Sequence, residues 1–220
     1  MLKRLLIVIL FSIAFAYIES AVVVYLRVIL HPEGFSFPLP GFDLNPLWPR
    51  LVPTEIGREA ATMVLIITGA WLFGRSTRER WASALVIFST WDIFYYVWLK
   101  VLLDWPASLL DWDILFLIPV VWASPVLCPV LVSLAMFAAA VVILVRGAAG
   151  HSVRLGWGEG LAAVAGCGII VLSFCIGGSH ISEPDFAEYF YWPLFGAGYA
   201  LAIAAFAWAL GRKVTATRTI

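Results

Sequence analysis

The chain has 220 residues, of which 63% are hydrophobic and 13% charged, and its 14 Lys and Arg balance 14 Asp and Glu. Soluble domains are roughly half apolar and roughly a quarter charged. With a mean hydropathy of +0.97 a soluble fold is excluded, and the zero net charge leaves no basic surface for nucleic acid.

The apolar runs are too long and too continuous for barrel strands, and a lipid-exposed span must satisfy its own backbone. The pattern therefore predicts an all-α integral membrane protein. Six transmembrane helices are expected, at about 5–27, 54–74, 81–103, 123–146, 158–178 and 188–210, each near the roughly 20 residues that cross a hydrocarbon core. They make a single membrane domain over 1–220, joined by outer interfacial loop or short helix segments. If the N-terminus is cytoplasmic, Lys3, Arg4, Arg75, Arg78, Arg80, Arg146, Arg154, Arg212, Lys213 and Arg218 all fall on the inner side. That bias predicts that both termini are cytoplasmic, in the plasma (inner) membrane of a prokaryote.

The first span begins like a signal peptide, with Lys3 and Arg4 and then Ala14-Phe15-Ala16. Its apolar run continues through Leu26, past the roughly 7–15 residues of a signal core, so a retained helix is expected. Inside it stands one acid, Glu19, with Arg27 eight residues further on. The loop that follows, from His31 to Pro53, is rich in proline and in Phe35, Phe37, Phe42 and Trp48. It reads as a segment packed along the outer interface, not as a flexible linker.

Span two is expected to open at Pro53-Thr54-Glu55, with Thr54 as N-cap and Glu55 in the first turn. Glu55, Arg58, Glu59 and Thr62 share one face of it. Span three carries Ser-Thr-Trp-Asp-Ile-Phe-Tyr-Tyr-Val-Trp-Leu-Lys over 89–100, with Asp92 inside an apolar run. Tyr95 and Tyr96 follow on its own face, and Lys100 lies eight residues toward the outer surface. The segment 103–124 alternates Asp104, Asp111 and Asp113 with Trp and Leu, and reads as a short amphipathic helix or a re-entrant piece. Spans five and six carry small residues at four-residue spacing, Gly158-Ala162-Gly166 and Gly196-Ala200-Ala204, as in closely packed scaffold helices. Cys128, Cys167 and Cys175 all lie in apolar spans without a C-x-x-C, so disulfides and thiolate metal sites are not expected.

The polar residues suggest one site. Glu19 and Asp92 each lie about 12 Å inside a basic residue, Arg27 and Lys100, at 1.5 Å rise per residue. Glu59 sits at comparable depth in span two. A charge near the bilayer centre costs at least about 2.5–3.5 kcal/mol, so such groups face inward and find partners. Glu19, Glu59 and Asp92 are thus the candidate proton- or cation-binding residues. Glu55, Arg58, Arg27, Lys100, Tyr95, Tyr96 and Asp113 support them. Glu19, Glu55, Glu59 and Asp92 outnumber Arg27, Arg58 and Lys100 by one, and the surplus needs a proton, a cation or water.

This points first to a protein handling protons or cations, working as a homo-oligomer or as a subunit of a larger membrane complex, with lipids around it. Two alternatives stand beside it. One is a membrane-embedded enzyme using a divalent metal or an acid/base carboxylate pair on a lipid-like substrate. The other is a non-catalytic structural subunit. No histidine lies within a span, so haem held by two histidines is not expected, and a divalent metal is the one cofactor the carboxylates suggest.

Overall fold

The computed structural model describes residues 2–39, 46–151, 153 and 156–211. The elements run α1 (Leu2–Leu30), α2 (Trp48–Phe73), α3 (Thr77–Leu103), β1 (Trp112–Phe116), β2 (Trp122–Pro125), α4 (Leu127–Ala148), α5 (Trp157–Gly178), a short 3-10 turn (Phe186–Tyr189) and α6 (Trp192–Gly211). All six helices are long and apolar enough to cross a membrane, which makes this a six-helix integral membrane fold. Several basic residues that set the expected orientation, Arg154, Arg212, Lys213 and Arg218, lie outside the described residues, as does the loop portion 40–45.

Helix α3 is the axis of the first half. Helices α1, α2 and α4 all pack on it, around a core of Val8, Phe15, Ile66, Val86, Ile87 and Trp91. It starts cleanly. Ser76 accepts the Glu79 amide at 3.2 Å, and the Glu79 carboxylate accepts the Arg75 amide at 3.0 Å, so two otherwise orphaned donors are satisfied. At its other end Asp104 adopts a left-handed conformation (φ 54°) and returns its amide to the Lys100 carbonyl.

Helices α5 and α6 form a separate pair. A Cβ on Gly166 would come within 2.8 Å of the Gly198 carbonyl, and one on Gly198 within 2.8 Å of the Gly166 carbonyl, so only glycines permit this approach. The small-residue contact on α6 therefore runs through Gly198 and Ala202, two residues away from the expected Gly196 register, and Gly158 and Gly196 meet nothing.

Two expected boundaries change. Helix α2 begins at Trp48 with no side-chain cap, so Pro53 lies inside it and Glu55 is in its second turn, not its first. Thr54 is no N-cap: its hydroxyl donates to the Arg50 carbonyl at 3.0 Å. The segment 103–124 is not helical. It holds an antiparallel hairpin in which Trp112 pairs with Pro125, Asp113 with Ser124, Ile114 with Ala123 and, after an irregularity, Phe116 with Trp122.

The hairpin occupies the end of the bundle where α1, α3 and α5 finish. Helix α5 ends in Gly177 and Gly178, and a Cβ on either would collide with the carbonyls of Ala123 or Val121. The glycine pair is thus the seat on which the second strand lies. The stretch 31–39 joins this end through the Leu39 amide on the Ile181 carbonyl (2.8 Å) and the Ser182 hydroxyl on the Leu39 carbonyl (3.0 Å). Phe35, Phe37, Trp105, Trp112 and Phe186 make successive ring contacts above it.

Candidate functional site

Below this aromatic roof lies a cavity of about 300 Å³, walled by α1 to α5 and the hairpin. Glu19, Glu59 and Asp92 all face it, and so do Glu55, Arg58, Arg27, Tyr95, Tyr96 and Asp113. Apart from His31, Thr62 and Ser133 the rest of the wall is apolar, from Val23 and Leu26 on α1 to Met136 on α4 and Ile170 on α5.

The charges divide into two groups. On the α2 side, Arg58 is the hub. Its guanidinium contacts the Glu19 carboxylate on α1 and holds Glu55 one turn back, through Nη2 at 2.6 Å and Nε at 2.8 Å. The Thr62 hydroxyl donates to the other Glu19 oxygen at 3.2 Å. Glu59 does something different: both its oxygens accept the amide of Leu117, at 2.9 and 3.0 Å. Leu117 is at the tip of the hairpin, so α2 uses this carboxylate to satisfy a strand-end donor.

On the hairpin side, Arg27 pairs with Asp113 Oδ1 at 3.0 Å, and both side chains are more than nine-tenths buried. The guanidinium lies between two rings, 4.1 Å from the Phe35 centroid and 3.8 Å from that of Trp105. Arg27 is therefore an interior cation and does not reach for a membrane surface. Asp113 Oδ2 has no well-aligned partner, although the phenols of Tyr95 and Tyr96 stand beside the carboxyl.

Asp92 belongs to this second group. It accepts the Ser133 hydroxyl from α4 at 2.7 Å, and Asp113 is the carboxylate that acts on it electrostatically. Among the described residues no Lys or Arg pairs with it. Lys100, expected as its counter-charge, lies outside the cavity. It makes a half-exposed pair with Asp104 at 2.7 Å, one turn further on. That pair holds the Asp104 carboxyl below the usual carboxylate range, through the lysine hydrogen bond and then its charge. At the rim, His31 is lowered from its ordinary value, by burial first and by the Arg27 charge second.

The chain matches no family model. No significant match exists among curated proteins or solved structures either.

Ser133 is the site residue that sequence reading passes over, because a serine in an apolar helix usually bonds its own backbone, as Ser12 and Ser20 do here. Phe116 and Trp122 of the hairpin also line the cavity. Among the described residues no group of three or more His, Cys, Asp or Glu is arranged to hold a metal ion. The three cysteines are free thiols. His180 stacks flat on Tyr189 at 3.8 Å, away from the cavity wall.

Proposed function

We propose that this protein handles protons at the cavity beneath the hairpin, with Asp92 as the group that exchanges them. One observation carries the reading. Of the five carboxylates that line the cavity, four have an assigned partner: Glu19 and Glu55 share Arg58, Asp113 has Arg27, and Glu59 has the Leu117 amide. Asp92 has only a hydroxyl. Inside an apolar helical protein an uncompensated carboxylate is costly, and a mobile positive species, most simply a proton, removes the cost. Tyr95, Tyr96 and Ser133 beside it are hydroxyl-bearing groups able to relay one.

The Lys and Arg distribution supports placing the hairpin end on the outer side of a plasma membrane. In that orientation the cavity is reached from outside, and work within an oligomer or a larger complex would supply the inner half of a pathway. The test is proton flux into dye-loaded liposomes carrying the protein, at an imposed pH gradient. Wild type is expected to raise the flux and Asp92→Asn to abolish the increment. An unchanged flux in Asp92→Asn refutes the assignment.

A second reading has one specific support. Asp92 and Asp113 face one cavity, and Asp113 is the acid that acts on Asp92 electrostatically, an arrangement suited to an acid/base pair acting on a lipid-like substrate. Turnover of membrane lipids by the purified protein, lost in both Asp92→Asn and Asp113→Asn, would favour it over proton exchange.

A further inference from the structure

We propose that the cavity binds a lipophilic organic cation, an amine or quaternary ammonium carrying an apolar group, with its charge against Asp92 and its apolar part against the hairpin and α4. This deepens the proton reading and rests on it: Asp92 is the uncompensated carboxylate in both.

Charge decides the sign of the ligand. Five carboxylates and two guanidiniums face the cavity, and both guanidiniums are engaged. An anion would meet no free base, since Lys100 is outside.

The wall decides the ligand's chemistry. A hard inorganic cation wants about six or more oxygen ligands, and the described residues hold no such cluster. The wall that Asp92 shares is rich in rings: Phe88, Trp91, Tyr95, Tyr96, Phe116 and Trp122 all line the cavity. Ring faces attract cations that are poorly hydrated, and organic ammonium groups are the ligands best suited to them. The molecule already uses this chemistry next door, where Arg27 lies between Phe35 and Trp105 with a carboxylate at its edge. A cavity of about 300 Å³ is at the small end of ligand sites, enough for one ring and one ammonium head.

The test uses benzyltrimethylammonium as the cation and benzenesulfonate as an anion of similar size, titrated into the full-length protein in lipid nanodiscs by calorimetry. Saturable one-to-one binding of the cation and none of the anion is expected. Asp92→Asn should weaken it at least about tenfold, and Trp122→Leu by roughly two- to thirtyfold, the span of cation–π energies. Cys167 gives a readout that needs no change to the site, because its exposed thiol is on the cavity wall. The cation, and not the anion, should slow its alkylation in wild-type protein, with Cys167→Ser identifying the labelled position. Absence of cation binding, equal binding of the anion, or full binding by a monodisperse Asp92→Asn protein overturns the proposal. A potentiometric titration of wild type against Asp92→Asn, with no ligand added, separates the two ideas. If it shows the Asp92 proton while the cation fails to bind, proton handling stands and the organic-cation site falls.

Discussion

Glu59, three turns into α2, holds the amide of Leu117 on both of its carboxylate oxygens. Eleven residues separate Trp48 from Glu59, so the hairpin tip reaches about 16 Å along α2 from the start of that helix. Non-helical backbone at such depth is tolerated when protein supplies its hydrogen bonds. Glu59 is that supply, so an acid expected to bind a proton or cation also serves the backbone. Glu59→Leu should therefore lower stability by roughly 1.5–3 kcal/mol, the worth of a hydrogen bond to a charged group. Glu59→Gln, which keeps one acceptor, should lose less. Thermal unfolding of both variants in the same detergent checks the order, and equal stability of Glu59→Leu and wild type would remove the role.

The hairpin's other support is sterically defined. A Cβ at Gly178 would run into the Val121 carbonyl, whereas one at Gly168 of the same helix meets nothing within 4 Å. Gly178→Ala should cost roughly 1–3 kcal/mol by overpacking, and Gly168→Ala should be neutral or slightly stabilising, since alanine is the better helix former. The paired measurement separates hairpin seating from a general effect of glycine in α5.

The six helices and the acids were readable because each stands out against a simple background: long apolar runs, and carboxylates inside them. The hairpin was not. Asp113-Ile-Leu-Phe-Leu-Ile-Pro-Val-Val-Trp is nearly continuously apolar, the strand residues on both faces being at least partly buried, and without alternation a buried strand and a buried helix look alike. In the sequence, depth alone matches Asp92 with Lys100. Depth says nothing of the partner one turn beyond Lys100, and Asp104 lies there in a left-handed cap that keeps the pair at the rim. The sequence marks Asp113 as a supporting acid, but its partner Arg27 is 86 positions away, and only the fold of 103–124 joins them.

That ion pair predicts a sharp asymmetry between single and double variants. Arg27→Met leaves Asp113 buried without its cation and should destabilise by about 3–5 kcal/mol. Adding Asp113→Leu removes the orphaned charge and should recover most of the loss. A double variant no better than Arg27→Met would mean that Arg27 acts through its stacking on Phe35 and Trp105. Unfolding midpoints of the three proteins decide it.

Lys100 offers the complementary case. Its pair with Asp104 is half-exposed on the lysine side and almost fully exposed on the acid, the setting in which ion pairs are weakest. Lys100→Met should leave both thermal stability and any Asp92-dependent proton flux at wild-type levels. A loss of flux would restore Lys100 as the counter-charge of Asp92.

The rim carries a pH dependence of its own. His31 lines the cavity beside Phe35, with ring centroids 5.4 Å apart, and burial and Arg27 together lower it from its ordinary value. A histidine whose folded value lies below its unfolded value, about 6.5, favours folding most when both forms are neutral. Its contribution is therefore complete above that pH and is lost as pH falls from there through the folded value. Acidification should loosen the contact of 31–39 with the rim, and His31→Phe, which keeps a ring and removes the titration, should flatten the response. Limited proteolysis of the 31–39 stretch at pH 7.5 and pH 5 provides the measurement. Cleavage should accelerate on acidification in wild type and much less in His31→Phe, and identical acceleration in both would assign the effect to another group.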